Sequence, residues 1–341
     1  MTPSPRTRLH CCQYFPFSPY MGRPILQIKF DEPHCIVALA LSIGCDSSLS
    51  VSGSFPSSEL IPTKIGAHLS IAGSIDRAVD RAIEKRCNTF QIFTRNPRGW
   101  KFKPLCEQEA ESFVAKLQAS KIDPVVSHMP YLPNLASHDR DIYGKSVKTL
   151  IAELDRAKKL GIRFVVTHLG SHMGAGMEVG FKQITDACDK ALCAVQNDVH
   201  LLLENTAGTK NSMGGTFEDI RRIISGIDQR SRVGICFDTC HGFAAGYDVR
   251  TPEGLKTTLG QIDALIGLDR LKVVHLNDSK GKLGSHMDRH EHIGLGHIGN
   301  KGFRAILHNE LIRELPLILE TPVDNGHSDE WNLRKVRQLS K

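Results

Sequence analysis

The chain has 341 residues, 40% of them hydrophobic and 23% charged, with a formal net charge of +6. That length excludes a core-limited miniprotein and allows one large α/β barrel or two smaller domains. Residues 1–63 carry four Lys/Arg and four Asp/Glu, so the whole positive surplus lies in residues 64–341, where it permits a polyanionic partner without demanding one.

Residues 1–63 are rich in Ser, Pro and Cys, lack a helical or strand period, and end in the breaker-laden "GSFPSSELIP". They read as an extension, either disordered or targeting. Its first 30 residues hold Arg6, Arg8, Arg23 and Lys29 and no acid, a bias suited to a mitochondrial presequence. The run "IVALALSIG" is far short of the ~20 residues that span a bilayer. The ten cysteines are scattered with no CxxC pair. Free thiols in a reducing intracellular compartment, nuclear, cytoplasmic or mitochondrial, are expected, with no membrane association.

From Lys64 the texture changes to short apolar runs alternating with segments of helical period. The predicted strands are "KIGAHLS" (64–70), "TFQIFT" (89–94), "DPVVSHM" (123–129), "FVVTHLG" (164–170), "HLLLENT" (200–206), "VGICFDT" (233–239), "LKVVHLN" (271–277) and "LPLILET" (315–321). Helical patterns such as "SIDRAVDRAIEKR" and "VKTLIAELDRAKKLG" lie between them. Eight parallel strands with seven intervening helices predict a (β/α)8 TIM barrel spanning residues 64–341.

Six consecutive strands, the third to the eighth, stop at an ionisable residue: His128, His168, Glu204, Asp238, His275 and Glu320. A closed parallel barrel brings the C-terminal ends of its strands to one face, so these groups can surround one small volume. No matching set of basic residues stands at the same ends, and divalent cations are the natural counter-charge. His241 lies three positions past Asp238, and "MDRH" places Asp288 and His290 two apart in the seventh strand's long loop. Five imidazoles and four carboxylates suit Zn2+ better than Mg2+ or Ca2+, and leave Mn2+ and Fe2+ open. Nine ligands are too many for one tetrahedral ion and fit about three if one carboxylate bridges. Along "CFDTC" an extended chain puts Cys236, Asp238 and Cys240 on one face, with Cys236 deeper as a small hydrophobe and Cys240 packing in the next turn.

The motifs "ENTAG" (204–208), "FDTCHGFAAGYD" (237–248), "HLNDSK" (275–280), "DRHEHIGLGHIG" (288–299) and "LILETP" (317–322) closely resemble the endonuclease IV family of apurinic/apyrimidinic endonucleases, from about Lys64 to about Arg337. The resemblance implies a monomeric barrel with three zinc ions that cuts double-stranded DNA 5′ to abasic sites, leaving a 3′-hydroxyl and a 5′-deoxyribose phosphate. It leaves 3′-end trimming open. It further implies that His128 and His168 hold one zinc, that Glu204 bridges to a second held by Asp238, His275 and Glu320, and that His241, Asp288 and His290 form the third site. Glu204 and Glu320 are the expected catalytic carboxylates, Glu204 fixing the metal separation and Glu320 orienting the attacking water. The N-terminal extension has no counterpart in compact members.

The loop "TRNPRGWKFK" (94–103) interleaves Arg95, Arg98, Lys101 and Lys103 with Trp100 and Phe102, and "PYLPNL" (130–135) places Tyr131 and Leu132 just past His128. Cations that grip phosphates beside rings that enter the stack suit damaged DNA, so Arg98, Trp100, Tyr131 and Leu132 are the expected DNA contacts. "GTKNSMGG" (208–215) lacks a P-loop ending and is expected to be a strand-to-helix connection. A sugar isomerase or epimerase would explain the barrel and some ligands but leave His241, Asp288 and His290 without purpose. A non-turnover damage-binding protein would leave nine intact ligands unexplained.

Overall fold

The computed structural model describes residues 63–101 and 103–341. The extension, apart from Thr63, and Phe102 lie outside the described residues. All eight expected apolar runs form strands, each shorter than its motif. The strands are β1 (Ile65–Ala67), β2 (Phe90–Ile92), β3 (Val125–His128), β4 (Phe164–Thr167), β5 (His200–Glu204), β6 (Val233–Asp238), β7 (Leu271–His275), a small hairpin β8 (Asp278–Ser279) and β9 (His290–Glu291), and β10 (Leu317–Leu319). The large sheet runs β1-β10-β7-β6-β5-β4-β3-β2, all parallel. Its two edges meet: His68 bridges Gln91 in parallel, and the Leu69 amide donates to Gln91 O at 2.8 Å. The chain is a TIM barrel.

The helices are α1 (Arg77–Glu84), α2 (Glu107–Ser120), α3 (Arg140–Lys159), α4 (Met177–Ala194), α5 (Phe217–Gly226), α6 (Thr239–Ala245), α7 (Pro252–Leu265), α8 (Gly299–Leu307) and α9 (Asp329–Leu339). Helix α3 starts before its apolar period because Asp139 caps it, accepting from the Asp141 and Ile142 amides at 2.8 and 3.0 Å. Two helices rather than one follow β6. Asp238 ends that strand and at once caps α6, its Oδ1 accepting from the His241 amide at 2.7 Å. The extended path expected through Cys240 therefore stops at Asp238, and Cys240 lies on the first turn of α6.

Two apolar layers hold the barrel. The outer layer packs strand faces such as Leu201, Leu203, Ile235 and Val274 against the helices. The inner plug is Val126, Val166, Leu202, Cys236, Val273 and Ile318, all fully or nearly fully buried. Where β1 meets the chain entering β2, only glycine fits: a Cβ on Gly66 would stand 1.8 Å from Thr89 O. Gly66→Ala must move backbone at the barrel seam, and a loss of at least about 1–3 kcal/mol is expected in urea unfolding. An unchanged midpoint would contradict closure at this seam.

Candidate metal centre

Each expected strand-end group stands two residues past a member of the inner plug: His128 after Val126, His168 after Val166, Glu204 after Leu202, Asp238 after Cys236, His275 after Val273 and Glu320 after Ile318. Strand side chains alternate, so a residue two positions on points into the same lumen one layer higher. Six unrelated stretches thus present donors to one volume above the plug. Among the described residues, donor atoms lie within 4.8 Å of one another in His128/His168/Glu204, in Glu204/Asp238/His275/Glu320 and in His241/Asp288/His290. All nine expected positions are in these groups. Cys240, expected only to pack, also reaches Asp238 and His290 in a fourth grouping.

Glu204 is the hub. Its Oε2 is 3.1 Å from His128 Nε2 and 3.7 Å from His168 Nε2. Its Oε1 is 3.1 Å from His275 Nδ1 and 3.3 Å from His241 Nδ1. Glu320 Oε2 lies 3.2 Å from His275 Nδ1, and Asp288 Oδ1 lies 3.1 Å from His241 Nε2. Burial pushes the Glu204 carboxyl up, but the His168 and His275 rings outweigh it and hold it well below the usual carboxylate range. Burial likewise opposes charge on Glu320, and His275 and His68 hold it well below that range. In return, against burial, Glu204 holds His128 above the ordinary histidine value, Asp238 and Asp288 hold His241 well above it, and Cys236 and Glu320 do the same for His275. His168, for which burial wins, is lowered.

The backs of the rings decide which nitrogen faces the centre. His128 Nδ1 donates to Met129 O at 2.7 Å, His241 Nδ1 to Asn205 O at 3.0 Å and His290 Nδ1 to Glu320 O at 3.0 Å. Gln91 Nε2 donates to Glu320 Oε1 at 2.6 Å, which turns its Oε1 to accept from His275 Nε2 at 2.8 Å. These acceptors place a proton on the outer nitrogen and leave a lone pair directed inward, the arrangement of a metal-ligating imidazole. The inward nitrogen of His290 is buried without a hydrogen-bond partner. The donor set therefore fits divalent cations, with imidazole and carboxylate in the mixture expected for Zn2+.

A family model described as a xylose isomerase-like TIM barrel matches residues 79–340. The probable endonuclease 4 of Methanoculleus marisnigri is 60% identical over 277 residues, covering 81% of this chain and 98% of that protein. Its counterpart in Nitrosopumilus maritimus is 48% identical over 279 residues, covering 81% and 100%. The chain belongs to the endonuclease IV family. The crystal structure of endonuclease IV from Thermus thermophilus matches it with a TM-score of 0.73 at 38% identity, over 81% of this chain and 98% of that one. A D-tagatose 3-epimerase-like protein, at 18% identity and a TM-score of 0.60, shares the fold.

In this member of the endonuclease IV family, the loops around the centre leave apolar side chains in solvent. Tyr131, 65% exposed, and Leu132 follow β3, Met173 follows β4, Leu283, Met287 and Leu295 follow β7, and Val323, 70% exposed, follows β10. Phe93 links Tyr131 to the centre, its ring centroid 5.0 Å from that of Tyr131 and 5.8 Å from that of His128. Arg98 is exposed in the same loop, and Trp100 is half-buried beneath Lys145, whose Nζ is 5.9 Å from the indole centroid. Arg95, expected among the phosphate-gripping cations, is instead buried: its Nε donates to Glu153 Oε1 at 2.8 Å. Glu153 Oε2 accepts from Thr94 at 2.7 Å, and Arg156 Nε donates to the same hydroxyl at 2.8 Å. Arg95 thus ties the base of the loop to α3. Residues 208–215 form the expected connection from β5 to α5, bridged at Ser212 to Ser171.

Sequence reasoning missed the amides behind the ligands. Asn205 Oδ1 accepts from the Asp238 amide at 2.8 Å, and its Nδ2 donates to Asp238 O at 3.1 Å. Asn277 Nδ2 donates to Asp238 Oδ2 at 2.7 Å, while its Oδ1 accepts from the Glu320 amide at 2.8 Å. An asparagine one or two places past a strand-end ligand was the available signal; Gln91, mid-strand, offered none.

The acids around His128, His241 and His275 favour a proton on each ring, raising all three above the ordinary histidine value. Ligation requires those protons to leave. Zinc uptake is therefore expected to release protons, and affinity to rise with pH from about 6.5, the ordinary histidine value, upward. Calorimetric zinc titrations in buffers of different ionisation enthalpy measure this; pH-independent affinity without proton release would contradict it.

Proposed function

We propose that this chain is a metal-dependent DNA-repair endonuclease that hydrolyses the phosphodiester 5′ to abasic sites in double-stranded DNA, working with three Zn2+ ions and leaving a 3′-hydroxyl and a 5′-deoxyribose phosphate. The observation that carries the reading is the third donor group, His241 with Asp288 and His290, lying beside the two groups that share Glu204. A two-ion sugar isomerase has no use for it, nor for an apolar rim of exposed loop residues. Family membership, with a 60% identical relative named probable endonuclease 4, supports the same choice.

Bound divalent ions supply a lowered pKa for water and screening of the phosphate oxygens. The chain supplies the rest. Glu204, with no exposed side-chain surface, bridges the first two sites and keeps their spacing. Glu320 retains 19% exposure where Glu204 and Asp238 have none, so it is the carboxylate of that group able to meet and orient an attacking water. Gln91 fixes its other oxygen. Arg98 grips a phosphate, Trp100 packs beneath it, and Tyr131 with Leu132 fills the gap where the base is missing.

Glu320→Gln keeps shape and removes the charge that orients water. It is expected to slow nicking of a duplex with one synthetic abasic site at least about 100-fold while binding persists; unchanged nicking would remove Glu320 from the chemistry. Arg98→Ala is expected to weaken binding and lower the salt slope by about one unit. Binding insensitive to salt in the parent protein would contradict the DNA role of this loop.

A further inference from the structure

Two motifs, "HLNDSK" and the glycine-rich end of "DRHEHIGLGHIG", contain residues that neither ligand set nor DNA rim uses. The structure joins them. Asp278, in β8, is fully buried beside the metal centre but contributes to none of its donor groups. Its carboxylate accepts from five backbone amides: Ser279 at 2.8 Å, Gly294 at 2.9 Å, Gly296 at 3.0 Å, Ile298 at 3.0 Å and Gly299 at 3.3 Å. Backbone amides folded into a concavity form an anion nest, and here the anion is the chain's own carboxylate.

The glycines are what let the nest close. Gly294 and Gly299 have φ of +83° and +67°, and a Cβ on Gly296 would stand 2.4 Å from Ser279 O and 2.5 Å from Asp278 Oδ1. The nest also fastens both limbs of one long loop. Asp278 pairs with Glu291 and Ser279 with His290 in the β8–β9 ladder, the Lys280 amide donates to Arg289 O at 3.0 Å, and the His297 amide donates to Ser279 O at 2.8 Å. Between the limbs, residues 282–289 are exposed and include Asp288. Asp288 and His290, two donors of the third group, ride on this loop, whose tip is tied to α6 by the Gly284 and His286 amides donating to Phe243 O at 3.1 Å and Ala244 O at 2.9 Å, and whose base is fixed by the nest.

We propose that Asp278 is a positioning residue for the third metal site: its amide-caged carboxylate holds the loop that carries Asp288 and His290 at the distance His241 requires. This rests on the three-ion reading. Substitution of an outer partner of a metal site typically lowers affinity about 10–100-fold, and here the loss should fall on one ion of three. A disturbance spread through the whole barrel would loosen all of them alike.

The test is metal stoichiometry and affinity by native mass spectrometry and competitive chelation, on the full chain as wild type and as Asp278→Asn. The variant keeps the volume but sets an amide NH2 against backbone donors. Three ions in the wild type and two tightly held ions in Asp278→Asn, with the third weakened at least about tenfold, is the expected result. Fewer than three ions in the wild type would overturn the underlying reading itself. Three ions at wild-type affinity in the variant, or equal weakening of all three, would overturn the role of Asp278 while leaving that reading intact. If the variant does not fold, hydrogen exchange of the metal-loaded wild type decides: the amides of residues 294, 296, 298 and 299 should be protected like the barrel strands, and exchange at unprotected rates would overturn the proposal.

Discussion

One buried carboxylate, Glu204, within 3.7 Å of four imidazole nitrogens, is the interaction around which this barrel mouth is arranged. An unpaired carboxylate in such a place costs several kcal/mol, and the six ligand-bearing strands end in no lysine or arginine to offset it. Histidines surround it instead. Their charge is conditional: the surrounding carboxylates favour a proton on His128, His241 and His275, and the same donor set suits a divalent cation. The balance that stabilises the fold at this end is therefore also the balance that selects what binds there.

That arrangement depends on a second layer that carries no net charge. Met129 O, Asn205 O, Glu320 O and the Gln91 side chain each accept from the outer nitrogen of a histidine, so every such ring turns a lone pair to the centre. Asn205 and Asn277 tie Asp238 to the neighbouring strand ends, so a displacement of one ligand is felt by the next. Around this polar pit the chemistry changes to exposed apolar side chains beside Arg98, on loops anchored from below by pairs such as Arg95 with Glu153.

The third donor group differs from the other two in how it is built. His128, Glu204, Asp238 and His275 end strands whose positions the sheet dictates, whereas Asp288 lies on an exposed loop and His290 begins a two-residue strand. That loop is held instead by the amide nest around Asp278 at its base and, at its tip, by the Gly284 and His286 amides donating to α6.

Much of this was legible before folding. Short apolar runs, each ending in a His, Asp or Glu, mark the ligand-bearing strands, and in the closed barrel the residue two past an inward apolar side chain also points inward. The local sequence determined Asp238 as a strand end, yet not that it would cap a helix and move Cys240 off the strand face, since a cap is seen only when the following amides turn toward it. Tertiary structure alone decided that Arg95 is buried against Glu153, that Gln91 orients His275, and that the glycines near residue 296 enclose Asp278. Those outcomes depend on partners 58, 184 and up to 21 residues away. Periodicity reports which way a side chain points, and only closure of the barrel brings such partners within hydrogen-bond reach.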